Sequence, residues 1–231
     1  MEKRVHLKGR LQVLSDYAKG SDTVADIGCD HGRLSVSLLQ TGAANTVYAC
    51  DISRDSLEKA RALRDKCGLT DKMHICLTDG LHNLPSQPDT VIIAGMGGIL
   101  ISEILSAVPD VAKCAERIIM QPMRTVSQLR KFLHTSGYHI TREQLCKDAG
   151  RIYQLILAKY VGEMQDFSIL PKGFYEFGEL MIKNRDPLLP ELIMRMRREL
   201  SEAKERAEKN GAELTVLTEK LKILEETAHE M

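Results

Sequence analysis

Apolar positions along the chain change their spacing twice. Leu7, Leu11, Val13, Leu14 and Tyr17 recur at helical intervals and stop at Gly20-Ser-Asp, which predicts a leading helix. Short apolar runs then alternate with helical patterns. Val24, Ala25 and Ile27 make a first strand that breaks at Gly28 and Gly32, and Leu34, Leu38 and Leu39 share one face of the helix that follows. Thr46–Cys50 reads as a second strand, with Ser53 or Asp55 placed to cap the next helix. Met73–Leu77 and Asp89–Ala94 are the third and fourth strands. The latter is β-branched and almost wholly apolar, as a strand buried on both faces of a parallel sheet must be. Arg117–Met120 is a fifth strand, a helix follows over Ser127–Ser136, and Tyr138–Ile140 with Ile152–Tyr160 closes as an antiparallel pair. Five strand–helix units with an antiparallel finish predict an α/β fold with a doubly wound, Rossmann-like sheet over residues 1–161.

Gly162–Leu170 breaks the pattern and Pro171-Lys-Gly173 marks a boundary, so residues 171–231 form the second predicted domain. Phe174–Asn184 reads as one short helix. Beyond it a heptad seam runs through Leu189, Ile193, Met196, Leu200, Ala203 and Ala207 to Leu214, Leu217, Leu221 and Leu224. Asn210-Gly211 tolerates the left-handed backbone that ends a helix, which predicts a C-terminal coiled-coil hairpin in preference to one long dimerising helix. The chain is therefore expected to be monomeric, with a dimer through the coiled coil as the alternative.

The totals narrow the function. With 231 residues, 43% hydrophobic and 28% charged, the chain can bury a full core. Lys+Arg and Asp+Glu balance at 32 each, so any nucleic-acid binding needs a local basic patch. The six cysteines are scattered without metal-ligand or disulfide-framework spacing, which predicts reduced thiols and no metal. The first residues lack the apolar core of a signal peptide, and no run approaches the ~18 apolar residues of a membrane span. A cytoplasmic protein without membrane attachment is expected.

Polar or glycine positions recur at the carboxyl end of each predicted strand: Asp30, Asp51, Asp79, Gly95 and Gln121. That edge of an open α/β sheet is where ligands bind. Asp51 lies where an acidic side chain accepts hydrogen bonds from ribose hydroxyls. Asp30 stands where the dinucleotide fingerprint needs a second glycine, and a carboxylate there repels a pyrophosphate. It suits a ligand with a cationic end, such as S-adenosylmethionine, and disfavours the alternative of an NAD-dependent oxidoreductase. The intact set of strand-end residues disfavours a non-catalytic coiled-coil adaptor.

Ala25-Asp-Ile-Gly-Cys-Asp-His31, Asp79-Gly80-Leu81, Ile93-Ala-Gly-Met-Gly-Gly98 and Gln121-Pro122 together resemble the bacterial tRNA (adenine-22-N1)-methyltransferase family, within the class I methyltransferases. The likeness extends to Arg10-Leu11 and the helical tail. It implies transfer of a methyl group from S-adenosylmethionine to N1 of adenine 22 in tRNA. The cofactor site it implies is Asp26, Gly28, Asp30, His31, Asp51, Ile52, Asp79, Gly80, Ala94 and Gly95, with Asp79 toward the cofactor's adenine amino group. Gly95, Met96 and Gln121 would hold the target base, Gln121 hydrogen-bonding its edge. Arg10 and the hairpin residues Arg195, Arg197 and Arg198 would hold the tRNA.

Overall fold

The computed structural model describes residues 4–163, 173–210 and 213–229. The chain forms two compact units, Met1–Gln165 and Asp166–Met231.

The first unit opens with α1 (Gly9–Tyr17) and continues β1 (Ser21–Ile27), α2 (Arg33–Gln40), β2 (Ala44–Asp51), α3 (Arg54–Lys66), β3 (Met73–Leu77) and β4 (Thr90–Gly97). It ends with α4 (Gly98–Ala107), α5 (Pro109–Cys114), β5 (Arg117–Arg124), α6 (Val126–Thr135), β6 (Tyr138–Asp148) and β7 (Arg151–Tyr160). One seven-stranded sheet has the order β3-β2-β1-β4-β5-β7-β6. β1 to β5 are parallel, whereas β7 runs antiparallel to β5 and β6 antiparallel to β7. The central strands supply the core: Val24, Ala25, Val47, Val91, Ile92, Ile93, Ile118, Ile119 and Met120 are all buried. Helix boundaries follow local chemistry. Ser53 caps α3 by accepting a hydrogen bond from the Ser56 amide at 3.2 Å, and Pro109 opens α5, where its missing N–H costs nothing.

The doubly wound sheet is as expected, with three corrections to its parts. There are four strand–helix units, since β3 passes to β4 through a loop carrying Pro85 and Pro88 in place of a helix. β5 does not stop at Met120 but runs through Gln121-Pro122-Met123 to Arg124. β6 extends to Asp148, because Ala149 (φ 47°) and Gly150 (φ 75°) form a two-residue turn with both central residues left-handed, the geometry that continues a twisted hairpin.

A buried ion pair ties the end of the sheet to its helix layer. Arg130 on α6, fully buried, donates to Glu143 on β6 at 2.8 Å and to Gln154 on β7 at 2.7 Å. Taking Arg130 or Glu143 away alone would leave an uncompensated charge in the core.

The second unit holds α7 (Phe174–Phe177), α8 (Glu179–Lys183), α9 (Leu189–Lys209) and α10 (Thr215–His229). The single helix expected over Phe174–Asn184 is broken at Gly178, whose φ of 82° no helix accommodates. α9 and α10 pack as a hairpin along the heptad seam, with Leu189, Ile193 and Leu224 buried and Arg197 facing Glu225 at 3.3 Å. Gly211 of the expected turn and Pro171 of the expected boundary lie outside the described residues.

Candidate active site

Chain order reverses between β1 and β4, which opens a crevice at the carboxyl ends of these neighbouring strands. On the β1 side Gly28 (φ 72°), Asp30 (φ 51°) and Gly32 (φ 68°) turn the chain into α2. The Gly28 and Cys29 amides both donate to the Cys50 carbonyl, at 2.8 and 2.9 Å, so the turn is anchored to β2. Any side chain at Gly28 would run into the methyl end of Met96, which reaches across the crevice from β4.

Asp51 organises the next strand end. One of its oxygens accepts the Asp30 amide at 3.1 Å and the other the Ser53 amide at 2.9 Å. Each carboxylate oxygen has a second lone pair, so both retain capacity for a ligand's hydroxyl groups. Ile52 follows with 71% of its surface exposed, beside the open edge. Asp79 is exposed at the end of β3. With Gly80, Leu81 and His82 it lines a cavity of about 160 Å³, closed on the other side by Leu100, Glu103, Ile104 and Ala107 of α4. Gly80 is held close to Ile104, where a Cβ would stand 3.0 Å from it.

Two bulges shape the far wall. Register along β4 and β5 passes from Ala94↔Gln121 to Met96↔Pro122 to Gly97↔Arg124, which leaves Gly95 extra on one strand and Met123 extra on the other. Gly95 (φ 79°) faces open space, with nothing within 4 Å of where a Cβ would sit. Such a position lets a ligand approach the bare backbone.

Three expected site residues are placed otherwise. Asp26 is buried, and its carboxylate accepts the Ser35 hydroxyl at 2.6 Å, so it ties the end of β1 to α2 across the turn. Burial lifts its pKa to about 6, with Ser35 pulling it down and Asp51 adding to the rise. Gln121 is not an exposed hydrogen-bonding group. It is 0% exposed, its carbonyl oxygen accepts from Arg10 at 2.8 Å, and its amide nitrogen donates to the Pro122 carbonyl at 3.0 Å and Met123 Sδ at 3.5 Å. Arg10 is correspondingly drawn inward, its guanidinium 5.4 Å from the Tyr153 ring centre. His31 and Asp30 stand at the mouth, 3.5 Å apart.

In the second unit Arg195, Arg197 and Arg198 are solvent-facing, but each meets a carboxylate: Glu199 at 2.9 Å, Glu225 at 3.3 Å and Glu202 at 4.0 Å. One cation that the sequence pattern did not single out lies at the crevice. Arg124 is exposed beside Gly97 and, among the described residues, has no ion-pair partner. Its only signal was its place three residues beyond Gln121. Tyr153 was likewise invisible, because its partner Arg10 is distant in the chain. No group of three or more metal-ligating side chains occurs among the described residues.

The reversed strand order, glycine turn and acidic end of β2 in the first unit define the class I methyltransferase fold, and the second unit adds a C-terminal helical hairpin. The chain belongs to the methyltransferase-domain family, whose defining pattern matches residues 7–156. It is 30% identical over 154 residues to the tRNA (adenine(22)-N(1))-methyltransferase of Bacillus subtilis (strain 168), an alignment spanning 66% of this chain and 65% of that relative. The chain thus matches just under two thirds of that relative's length. Among solved structures, the B. subtilis m1A22 tRNA methyltransferase TrmK superposes with a TM-score of 0.85 at 24% identity, covering 97% of this chain and 99% of that one. M. capricolum TrmK, in complex with S-adenosyl-homocysteine, gives 0.84 at 24% identity, covering 97% and 98%.

Proposed function

We propose that this protein methylates N1 of an adenine in tRNA, at position 22, using S-adenosylmethionine. The observation that carries the reading is the crevice between β1 and β4, where the Gly28 turn, Asp51 and the Gly95 bulge meet. It is supported by the names of the relatives, one a tRNA (adenine(22)-N(1))-methyltransferase and another a TrmK solved with the demethylated cofactor.

The residues fit that cofactor. Asp51 keeps lone pairs for ribose hydroxyls, Asp79 is exposed toward a cavity where an adenine amino group would need an acceptor, and Asp30 puts negative charge beside a cationic ligand. When bound, S-adenosylmethionine supplies an electrophilic methyl group on a sulfonium. Asp51, Asp79, Gly28, Asp30, His31, Ile52, Gly80 and Ala94 are the proposed binding set, with Asp26 holding the turn. Adenine N1 carries its own lone pair, so no side chain has to remove a proton. The protein's contribution is alignment, which can supply about 7–11 kcal/mol of a barrier when reacting atoms are held in line. Because N1 lies on the pairing edge, a paired adenine must first be extruded. The Gly95 bulge offers room for it and Met96 a polarizable surface to pack on.

Each unit is proposed to be a domain, 1–161 catalytic and 171–231 helical, with the hairpin arginines as RNA contacts. Their ion pairs are exposed, and exposed pairs are worth only about 0.2–1 kcal/mol, little enough for phosphate to displace the glutamates. A monomer in the cytoplasm is the proposed state. No helix among the described residues is long and apolar enough to cross a membrane.

The deciding experiment incubates the purified protein with S-adenosylmethionine and tRNA transcripts and analyses the nucleosides by mass spectrometry. 1-Methyladenosine is expected in a transcript with adenine at position 22 and not in its guanine-22 variant. Methylation elsewhere, or calorimetric binding of NAD in place of S-adenosylmethionine, overturns the reading.

A further inference from the structure

Arg10 and Gln121 are 111 positions apart, yet the guanidinium of one meets the amide of the other at 2.8 Å. The start of α1 is built for this approach. Gly9 (φ 54°) lies against the Asp148 carboxylate so closely that a Cβ there would collide with it, and the Arg10 amide sits 3.4 Å from the same carboxylate. The guanidinium then lies over the Tyr153 ring, a contact that favours a planar cation. Among the described residues no carboxylate pairs with that guanidinium.

The pairing has a directional consequence. An amide side chain can turn over and exchange its oxygen for its nitrogen, but arginine has donors and no acceptor. Arg10 therefore accepts only the orientation in which the Gln121 oxygen faces it. The NH₂ group must then point the other way, toward the Pro122 carbonyl and Met123 Sδ. These bonds fall on the stretch where β5 is bulged and proline removes a ladder hydrogen bond, so side chains take over from the sheet in holding the backbone.

We infer that Arg10 is a positioning residue. Through Gln121 it fixes the Gln121–Arg124 strand end that walls the crevice on the acceptor side, and it is not a phosphate contact. The inference rests on the acceptor reaction proposed above, and it reverses the RNA-binding role expected of Arg10 from sequence.

A double-mutant cycle tests it, with Arg10→Ala, Gln121→Ala and the pair assayed at saturating donor and tRNA. Each single variant is expected to lose kcat about tenfold or more. The double variant should fall within about threefold of the worse single, since both remove one device. KM for tRNA and the salt dependence of tRNA binding should stay as in wild type, whereas loss of a phosphate contact lowers the salt slope by about one unit. Arg10→Lys keeps a donor for Gln121 but not the planar stack and should recover part of the lost rate. Losses that multiply in the double variant, or a KM effect with a flatter salt slope, overturn the inference. Unchanged S-adenosylmethionine binding by calorimetry shows that the variants fold. If the wild-type protein methylates no tRNA, the proposed reaction fails on its own account, and the pairing is then read by hydrogen exchange. Arg10→Ala should speed exchange of the Gln121, Met123 and Arg124 amides and leave β1 to β3 unchanged. Equal exchange in that stretch overturns the inference in turn.

Discussion

The two sides of the crevice are built on opposite plans. On the β1–β3 side the ends are glycines with left-handed backbone and carboxylates, among which Asp51 has accepted one hydrogen bond per oxygen and can accept more. On the β5 side the polar group is sealed: Gln121 is inside, with its oxygen and nitrogen engaged. The first side resembles a socket of unspent acceptors, suited to a small ligand of fixed chemistry. The second is a wall whose shape is set by internal bonds. Substitutions on the first side should therefore appear as affinity, and on the second as rate.

The largest expected effect lies behind the socket, at Asp26. Its folded pKa of about 6 is above the ordinary carboxylate value of 3.8, so the folded protein holds the proton more tightly than the unfolded chain. Stability from this group is therefore fully present below pH ~4, declines as pH rises to about 6 and is level above, a change of about 2–3 kcal/mol at most. Asp26→Asn should flatten that part of the pH–stability curve measured by denaturant unfolding. An unchanged difference between variant and wild type from pH 4 to 7 would show that the burial cost is not felt. Next, Asp51→Ala should weaken S-adenosylmethionine binding by about 1.5–3 kcal/mol in calorimetry, through lost hydrogen bonds to a charged group and a loosened Asp30 turn. Wild-type affinity would reduce Asp51 to a support for the Asp30 and Ser53 amides.

On the wall side, Gln121→Ala should cut kcat by about tenfold, ~1.4 kcal/mol, with donor affinity within about threefold. Equal losses in both would erase the distinction between the two sides. The smallest effect is expected far from both, in the hairpin. Arg197→Ala breaks only an exposed pair with Glu225 and should change thermal stability by less than about 1 kcal/mol, while weakening tRNA binding in low salt. A stability loss much above that would mean that the hairpin depends on the pair.

Much of the sheet was legible because its strands are apolar runs of the right length between turn residues. β3 was read to the residue, the cap of α3 was narrowed to Ser53 or Asp55, of which Ser53 forms it, and the heptad seam followed from side-chain chemistry alone. What escaped was decided at long range. Pro122 reads locally as a strand terminator, yet β5 continues past it in two bulged steps that set Pro122 opposite Met96 and Arg124 opposite Gly97. Gln121 reads as a polar strand end, and only the arrival of Arg10 from α1 makes its complete burial affordable. Arg130 looks like an ordinary surface cation on an amphipathic helix until β6 and β7 bring Glu143 and Gln154 to it.

The order of the strands also determines how the molecule meets its neighbours in a crowded solution. Every sheet has two borders with unpaired backbone groups, and a long flat border is a template on which another chain can add a strand. Here one border is β3, only five residues long. The other is β6, which is long but has a register shift between Ile140 and Arg142 and carries Arg142 and Lys147 on its length. Brevity on one side and irregularity with charge on the other leave little for a second sheet to grow on. The antiparallel finish that closes the fold is thus also a safeguard against fibre-like aggregation.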